Sequence, residues 1–270
     1  MLIVECSQTD MSSQLKVGLI IPARMASERL PGKPLLDILG LPMIEHVRRR
    51  AMLSTLSSNV IVASGDQEIL TVVEKYGGTA VTTIQNHING LSRVAEVARD
   101  SDFSHVIVLQ GDEILIVPDE LSALESAISS SPRIDFWNGI CSLDSQEELD
   151  DQSVVKCTQK KDKTIQTIFR KSPLTSPILT QMLLVKKISG LFAISREFLA
   201  DVVAHSATPI ESAESIEQMR ILELSREISV FDMHSNFPSI NLPQDVNKVL
   251  SILRNDPVQN RILSQIKKMS

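Results

Sequence analysis

Apolar and polar positions alternate along the first half of the chain in a pattern that predicts strands and helices in turn. Short, β-branched apolar runs, typical of buried strands, occupy residues 17–21, 59–63, 79–83 and 105–109. Segments with apolar residues every three or four positions, typical of helices, follow these runs, beginning at Pro42, after Asp66, at 91–98 and at 118–128. Strand–helix alternation at this spacing predicts right-handed crossovers and a largely parallel sheet.

The pattern changes at about Asp135, where strands follow one another with few helices between them. The apolar runs lie at residues 136–143, 154–158, 164–169 and 188–194. They predict a smaller antiparallel or mixed sheet appended to the first. Two helices (196–204 and 213–225), a strand near 228–232 and a C-terminal helical stretch from 243 to about 268 complete the predicted order. That stretch is expected to break near Asp256, because a residue before proline disfavours the helical conformation.

Composition describes an ordinary globular protein. Of 270 residues, 43% are hydrophobic and 22% charged, and only 3% are aromatic, so the core must consist mainly of aliphatic side chains. The net charge of −6 argues against a protein that coats nucleic acid, but it allows a small anion to bind at a local cluster of cations.

Cysteine usage and the N-terminal segment bear on the compartment. Cys6, Cys141 and Cys157 are scattered and form no C-x-x-C pair, which favours a reducing compartment over disulfides or a zinc site. No apolar run reaches the length of a membrane span, and Glu5 and Asp10 lie where a signal peptide would have lysines. We therefore expect a cytoplasmic protein with no membrane contact.

The first candidate site is the loop that follows the strand at 17–21. It carries three cations, Arg24, Arg29 and Lys33, between prolines and a glycine. Ligands of open α/β sheets bind at the carboxyl ends of strands, and three cations there suit a polyanion such as a nucleoside triphosphate. A solvated basic loop is the alternative, since surface loops often carry Lys and Arg. The direct attachment to an apolar strand favours the binding site.

The second candidate site is the sequence Gln110-Gly111-Asp112-Glu113, directly after the strand at 105–109. An acidic pair at a strand end suits Mg²⁺, which prefers one or two carboxylates together with phosphate oxygens and water. An aspartate that ends the strand and caps the next turn is the alternative. The chain has no G-x-G-x-x-G, no P-loop and no G-x-S-x-G, which argues against dinucleotide-binding dehydrogenases, P-loop NTPases and α/β-hydrolases.

Several motifs together resemble the cytidylyltransferases that activate acidic sugars, and among them the 3-deoxy-manno-octulosonate (KDO) cytidylyltransferase family. The resemblance runs from about Val17 to Leu250. It is carried by P-A-R-x-x-S-x-R-L-P-G-K-P-L at 22–35, H-I-N-G-L-S-R at 87–93, Q-G-D-E at 110–113, the acidic helix at 211–223 and P-S-I-N-L-P-Q-D at 238–245.

The resemblance implies an α/β fold of the nucleotidyltransferase (Rossmann-like) type, with a mixed, mostly parallel sheet flanked by helices and a smaller mixed or antiparallel sheet. After an N-terminal extension at 1–15, residues 16–270 would form a single domain. Its nucleotide-binding half would comprise 16–132 and 233–270, and its sugar-binding and dimerisation half 133–232. The resemblance also implies a homodimer, for which 136–158 supplies suitable strands.

The implied reaction transfers CMP from CTP to an acidic sugar, with 3-deoxy-D-manno-octulosonate as the first candidate acceptor, and releases pyrophosphate for lipopolysaccharide or surface polysaccharide biosynthesis. The implied catalytic residues are Arg24, Arg29, Lys33 and Asp112. The implied nucleotide site adds Pro22, Ala23, Asp66 and Gly90. The implied sugar-binding residues are Arg93, Gln110, Glu217 and Gln218. Mg²⁺ is the implied cofactor, with Asp112 and Asn241 as its ligands.

The chain departs from the family pattern mainly on the sugar side. Asn241 replaces a metal carboxylate, and Leu91-Ser92 replaces Thr-Asp. The other substitutions are Ile188 for a sugar-contacting His, Phe192 for a Tyr and Ile114 for a Pro. Three hypotheses stay open: a KDO cytidylyltransferase, a cytidylyltransferase for a different sugar acid, and a catalytically degenerate paralogue that binds nucleotide.

Overall fold

In the computed structural model, which describes residues 15–27, 29–87 and 89–269, a nine-stranded mixed sheet forms the centre of the protein. The strands of the chain are β1 (Val17–Pro22), β2 (Asp37–Ile38), β3 (Leu41–Pro42), β4 (Val60–Ser64), β5 (Thr79–Thr82), β6 (His105–Leu109), β7 (Phe136–Ser142), β8 (Lys156–Gln159), β9 (Ile165–Phe169), β10 (Val185–Ser195) and β11 (Ser229–Asp232). The sheet order is β11-β7-β10-β6-β1-β4-β5, and β2 and β3 form a separate antiparallel hairpin.

Helices cover both faces of the sheet. They are α1 (Met43–Met52), α2 (Gln67–Lys75), α3 (Gly90–Arg99), α4 (Pro118–Ser130), α5 (Gln146–Asp150), α6 (Ile178–Leu184), α7 (Arg196–Ala204), α8 (Pro209–Glu214), α9 (Gln218–Glu223), α10 (Pro243–Asn255) and α11 (Pro257–Ile266), with short 3-10 helices at Lys33–Leu35 and Ser57–Asn59. Within the ranges described, no helix combines the length and apolar character that a membrane span requires.

The parallel centre of the sheet forms as the sequence predicts. β1 pairs in parallel with β4 and β6, and β4 with β5. All six residues of β1 are buried, because helices cover the sheet on both sides. Side chains alternate along the strand: Leu19 and Ile21 join the cluster under α1 and α10, whereas Ile20 joins the one under α3 and α7. The predicted fold class is confirmed.

The strands of the second half extend this sheet rather than standing apart from it. β10 pairs antiparallel with β6 and with β7, and β11 pairs in parallel with β7. β8 and β9 form an antiparallel branch that begins at β10. The strand predicted at 154–158 begins at Lys156, and the sequence pattern missed the short helices α5 and α6.

The single helix predicted at 213–225 is wrong. The structure has two short helices, α8 and α9, instead. Ser215 ends α8 in the left-handed conformation, with φ of 53°, so the chain turns before Gln218. The predicted break at Asp256 is confirmed, since α10 ends at Asn255 and Asp256 caps α11. The predicted N-terminal extension lies outside the described residues up to residue 14, and so does Cys6.

Candidate active site

A cleft of about 1290 Å³ opens at the carboxyl ends of β1 and β6. It brings together almost all of the site residues predicted from the sequence. Those that line it are Pro22, Ala23, Arg24, Arg29, Lys33, Gly90, Arg93, Gln110, Asp112, Glu217, Gln218 and Asn241. Because parallel strands end at the same edge of a sheet, the loops after β1 and β6 meet there. The exception is Asp66, which does not line the cleft.

Lys33 and Asp112 join the two loops by an ion pair. Lys33 Nζ lies 2.9 Å from Asp112 Oδ2 and also donates to the carbonyl of Ile240 over 3.0 Å. Gly32 places the lysine, because its φ of 73° is a backbone conformation that favours glycine, and a 3-10 helix starts directly after it. Arg24 and Arg29 are exposed on the same loop and face the cleft.

Asp66 has a different position from the one predicted. The residue precedes α2, but its side chain makes no capping hydrogen bond there. Instead, Oδ2 accepts the backbone N–H of Met25 over 2.7 Å. The loop after β1 passes the end of β4, and the carboxylate is the acceptor within its reach. Asp66 therefore fixes the backbone of the basic loop without lining the cleft itself.

Asn241 and Asp112 are the oxygen donors predicted for a metal. The backbone N–H of Ile240 donates to the carbonyl of Asp112 over 3.3 Å, which keeps the two segments together. Asp245 accepts the backbone N–H of Asn241 over 2.8 Å and thereby starts α10. Within the described residues, no cluster of three or more His, Cys, Asp or Glu side chains could hold a metal by itself. One carboxylate and one amide oxygen fit a Mg²⁺ ion that shares its coordination with a triphosphate.

Glu113 and Gly190 join β10 to the loop after β6. Glu113 Oε1 accepts the backbone N–H of Gly190 over 2.9 Å, and the N–H of Gln110 donates to the Gly190 carbonyl over 3.0 Å. Burial, together with the neighbouring charge of Asp112, raises the pKa of Glu113 to about 7. A Cβ at Gly190 would lie 2.6 Å from Glu113 Oε1 and 3.0 Å from Gln110 Cβ, so any larger residue would displace these two side chains.

Glu217 connects α9 to the beginning of α3. Its Oε1 accepts the backbone N–H of Gly90 over 3.1 Å, and burial raises the pKa of this carboxyl. Gln218 Nε2 donates to Asn138 Oδ1 over 3.0 Å. The two predicted sugar-binding residues thus form one wall of the cleft, held against α3 and β7.

Arg93 lines the cleft but directs its guanidinium to the protein. The residue is buried and donates to the carbonyls of Ile84 over 3.3 Å and Gln85 over 3.2 Å, and to the hydroxyl of Thr83. Burial lowers the pKa of Arg93, although the charge of Asp66 partly offsets this effect. In the structure its hydrogen bonds hold the loop that follows β5.

Comparisons with known proteins agree with this geometry. A family model described as cytidylyltransferase matches residues 19–228. This chain belongs to the cytidylyltransferase family. A 3-deoxy-manno-octulosonate cytidylyltransferase from Escherichia coli is 31% identical and covers 91% of this chain and 99% of its own length. The enzyme of the same name from Chlamydia pneumoniae is 34% identical, covering 85% and 91%.

A solved structure supports the same assignment. The structure of a CMP:2-keto-3-deoxy-manno-octonic acid synthetase complexed with CTP superposes with a TM-score of 0.81 at 31% identity. It covers 88% of this chain and 98% of its own. The family and the enzyme class predicted from the sequence are confirmed.

The substitutions in this cytidylyltransferase have clear structural partners. Leu91 is buried in the core. Ser92 is part of the capping box of α3, in which its N–H donates to Asn89 Oδ1 over 2.9 Å. His87 contacts Ser92 Oγ at 3.1 Å through Nδ1 and Glu96 Oε2 at 2.5 Å through Nε2. The altered motif therefore forms the start of a helix.

Three other substitutions have different surroundings. Phe192 is buried and stacks on Phe136, with ring centroids 5.4 Å apart, so it is a core residue. Ile114 is fully buried as well. Ile188, in contrast, lines the cleft. Of these three positions, only Ile188 changes the chemistry that faces a ligand.

Lys187 is a cleft residue that the sequence analysis missed. Its Nζ donates to Asn236 Oδ1 over 2.6 Å and lies 3.4 Å from Glu148 Oε1. Cys141 Sγ donates to the same Asn236 oxygen over 3.2 Å, and burial raises the pKa of this thiol to about 12. The sequence offered one signal, the pair Lys186-Lys187 inside an otherwise largely apolar strand. It could not reveal the partners of Lys187, because Asn236 and Glu148 come from distant segments.

Proposed function

We propose that this protein transfers CMP from CTP to the sugar acid 3-deoxy-D-manno-octulosonate and releases pyrophosphate. The observation that carries the proposal is the Lys33–Asp112 contact of 2.9 Å, in a cleft that also gathers Arg24 and Arg29. It combines a triphosphate-binding loop with a metal-binding carboxylate at one sheet edge. The similarity to 3-deoxy-manno-octulosonate cytidylyltransferases over about nine-tenths of the chain supports the acceptor.

In the proposed reaction, the anomeric hydroxyl of the acceptor attacks the α-phosphorus of CTP in line. A new O–P bond forms, the bond to the β-phosphate oxygen breaks, and the hydroxyl proton leaves to solvent. Arg24, Arg29 and Lys33 bind the triphosphate and offset the negative charge that develops on the departing pyrophosphate. Positioning and fixed charge supply the rate enhancement, so no covalent intermediate with the protein is needed.

Asp112 and Asn241 would hold Mg²⁺ in this reaction. The ion, when bound, neutralises phosphate charge and acts as a Lewis acid. Asp112 supplies a full negative charge, whereas Asn241 supplies only a neutral amide oxygen. We therefore expect the affinity for Mg²⁺ to depend less on the protein and more on the triphosphate oxygens than it would with two carboxylate ligands.

The acceptor would lie between Gln110 and the wall formed by Glu217 and Gln218. Glu217 keeps this wall in place through Gly90, and Arg93 supports the neighbouring loop. Asp66 contributes to nucleotide binding indirectly, through the backbone of Met25.

A different sugar acid is the second candidate acceptor, and Ile188 favours it. An apolar side chain lines the cleft where the family resemblance implies a sugar-contacting histidine. Loss of that polar contact changes the hydrogen bonds available to a sugar more than those available to CTP. The intact cation set and the Lys33–Asp112 contact favour either enzyme over a degenerate paralogue.

Pyrophosphate release tests the proposal. The protein is incubated with CTP, Mg²⁺ and each member of a panel that includes KDO and N-acetylneuraminate, with GTP and ATP as nucleotide controls. We expect release with CTP and KDO. Release with another sugar acid alone supports the second candidate. Calorimetric CTP binding without release for any acceptor contradicts both and supports the degenerate paralogue.

We also propose the predicted homodimer, the division into two functional halves and a cytoplasmic location. For the dimer, the support is α6, on which Leu179 and Leu183 are 78% and 76% exposed. The helix carries no charged residue, and its Met182 packs against the cluster that contains Leu149 of α5. An exposed apolar helix next to the predicted dimerisation strands suits contact with a second copy.

A further inference from the structure

Lys187 is a cation on the side of the cleft opposite the basic loop. We propose that its ammonium group binds the carboxylate of the sugar acid, and that Glu148 and Asn236 position it. This inference rests on the proposed function and names the group that recognises the acidic part of the acceptor.

The position of Lys187 suits that role. The residue lies on β10 next to Ile188, and both line the cleft. It is three residues from Gly190, which contacts Glu113 and Gln110 of the loop that carries Asp112. In 2-keto sugar acids the carboxylate is bonded to the anomeric carbon, whose hydroxyl is the nucleophile. The carboxylate must therefore lie near the reacting phosphate, and a cation that lines the same cleft is suited to bind it.

Two arginines that also line the cleft, Arg93 and Arg170, make their hydrogen bonds to the protein. Arg93 donates to loop carbonyls, as described above. Arg170 donates to the carbonyls of Glu214 over 2.9 Å, Gln152 over 3.0 Å and Ser215 over 3.3 Å. Both guanidinium groups thus satisfy backbone acceptors. Lys187, in contrast, has side-chain partners that a ligand can replace or join.

The hydrogen bonds of Lys187 leave capacity for a ligand. An ammonium group has three donors, and two of them have acceptors in the structure, at 2.6 Å on Asn236 and 3.4 Å on Glu148. Asn236 is itself fixed, since its Nδ2 donates to the Ser142 carbonyl over 2.9 Å. Glu148 is held by the backbone N–H of Asp144, also over 2.9 Å. The lysine is therefore oriented before a ligand arrives, and only 16% of its side chain is exposed.

A purely structural ion pair is the competing explanation, and it makes an opposite prediction for Glu148. If Lys187 only stabilises the fold, then Glu148→Gln weakens the protein and does not improve binding of an acid. If Lys187 binds the acceptor, then Glu148 competes with the acceptor for its charge. In that case Glu148→Gln tightens acceptor binding, because the substitution preserves the size of the side chain and removes its negative charge.

The test measures acceptor binding apart from chemistry. KDO and its uncharged methyl ester are titrated calorimetrically into protein saturated with α,β-methylene-CTP, whose α,β bond cannot be cleaved. For Lys187→Met we expect the dissociation constant of KDO to rise at least tenfold, with CTP binding within twofold of wild type. The methyl ester should bind wild type and K187M equally. Lys186→Met is the matched control, because Lys186 is the neighbouring lysine, donates to the Ser142 hydroxyl over 3.1 Å and does not line the cleft, and it should change neither value.

The outcomes separate the inference from the proposed function. Glu148→Gln should bind KDO two- to threefold more tightly. The inference is overturned if K187M binds KDO as wild type does, if wild type does not discriminate between KDO and its ester, or if E148Q and K187M lose affinity together. The proposed function fails separately, if wild type binds CTP and KDO but releases no pyrophosphate.

Discussion

Arg29 donates a hydrogen bond from Nη2 to Oδ1 of Asn241 over 3.2 Å. The contact joins the basic loop after β1 to the segment before α10. The amide oxygen at this position therefore faces a cation of the protein, where the family resemblance implies a carboxylate that faces Mg²⁺. Asn241, a predicted metal ligand, thus contacts one of the cations predicted to bind the triphosphate.

Asn241→Asp should restore a second carboxylate. We expect the Mg²⁺ concentration for half-maximal turnover to fall several-fold and turnover to rise, because the ion gains a full charge as a ligand. Pyrophosphate release over a Mg²⁺ titration measures this. Asn247→Asp, an exposed substitution on α10, is the control for added charge. If both variants respond alike, Asn241 is not a metal ligand.

Lys33→Met should abolish most of the activity with little effect on folding. The substitution removes the cation nearest to Asp112, and we expect turnover to fall about 100-fold, as for other groups that stabilise developing charge. The thermal midpoint should change little, because Lys33 lies at the cleft surface. Lys16→Met serves as the control, since that lysine pairs with exposed Asp102 far from the cleft. Near-normal turnover in K33M would contradict the assigned role.

Asp66 should affect CTP binding through the loop. Asp66→Ala removes the acceptor for Met25 N–H, so the basic loop gains freedom, and we expect the KM for CTP to rise about tenfold. Asp66→Asn retains an oxygen acceptor at the same place and should recover most of the affinity. Equal losses in the two variants would show that the charge of Asp66, and not its hydrogen bond, is what matters.

The sequence predicts the cleft better than it predicts the second half of the fold. Residues at the ends of β1 and β6 come together because parallel strands end at one edge, a rule that needs no knowledge of distant contacts. The break between α8 and α9 depends on Ser215 in a left-handed conformation, for which the residue type gives no warning. Lys187 was missed for a similar reason, since its partner Asn236 is brought to β10 only by the completed sheet.

His46 should make stability depend on pH. Burial lowers the pKa of His46 from 6.5 to about 4, and its Nε2 donates to the Ile38 carbonyl over 2.7 Å. The unfolded chain therefore binds a proton more readily between pH 6.5 and 4. The contribution of neutral His46 to the free energy of unfolding is fully present above pH 6.5. It is lost as the pH falls through 4, and the loss is at most about 3 kcal/mol.

His46→Gln should remove that dependence. The variant keeps a donor near Ile38 but cannot take up a proton, so its free energy of unfolding should fall less than that of wild type between pH 7 and 4. Urea unfolding at several pH values measures the difference. His205→Gln, at an exposed histidine, should retain the wild-type slope. A parallel decline in wild type and H46Q would contradict the assignment.

The apolar face of α6 should control assembly. Replacing Leu179 and Leu183 with Ser removes two exposed apolar side chains and should convert a dimer to monomer without lowering the thermal midpoint of the subunit. Light scattering during size-exclusion chromatography gives the mass. Val258→Ser, at an exposed apolar residue of α11, is the control. A wild-type monomer, or a double variant that stays dimeric, would contradict the proposed surface.

Gly190 lies at a shift in register between β10 and β7, and its N–H and carbonyl serve Glu113 and Gln110 instead of β7. The residue therefore ties the strand that carries Lys187 and Ile188 to the loop that carries Asp112. The side chains of residues 187 and 188 can therefore be substituted without moving the loop that carries Asp112. Acceptor choice can thus diverge on this scaffold while the geometry of transfer stays the same.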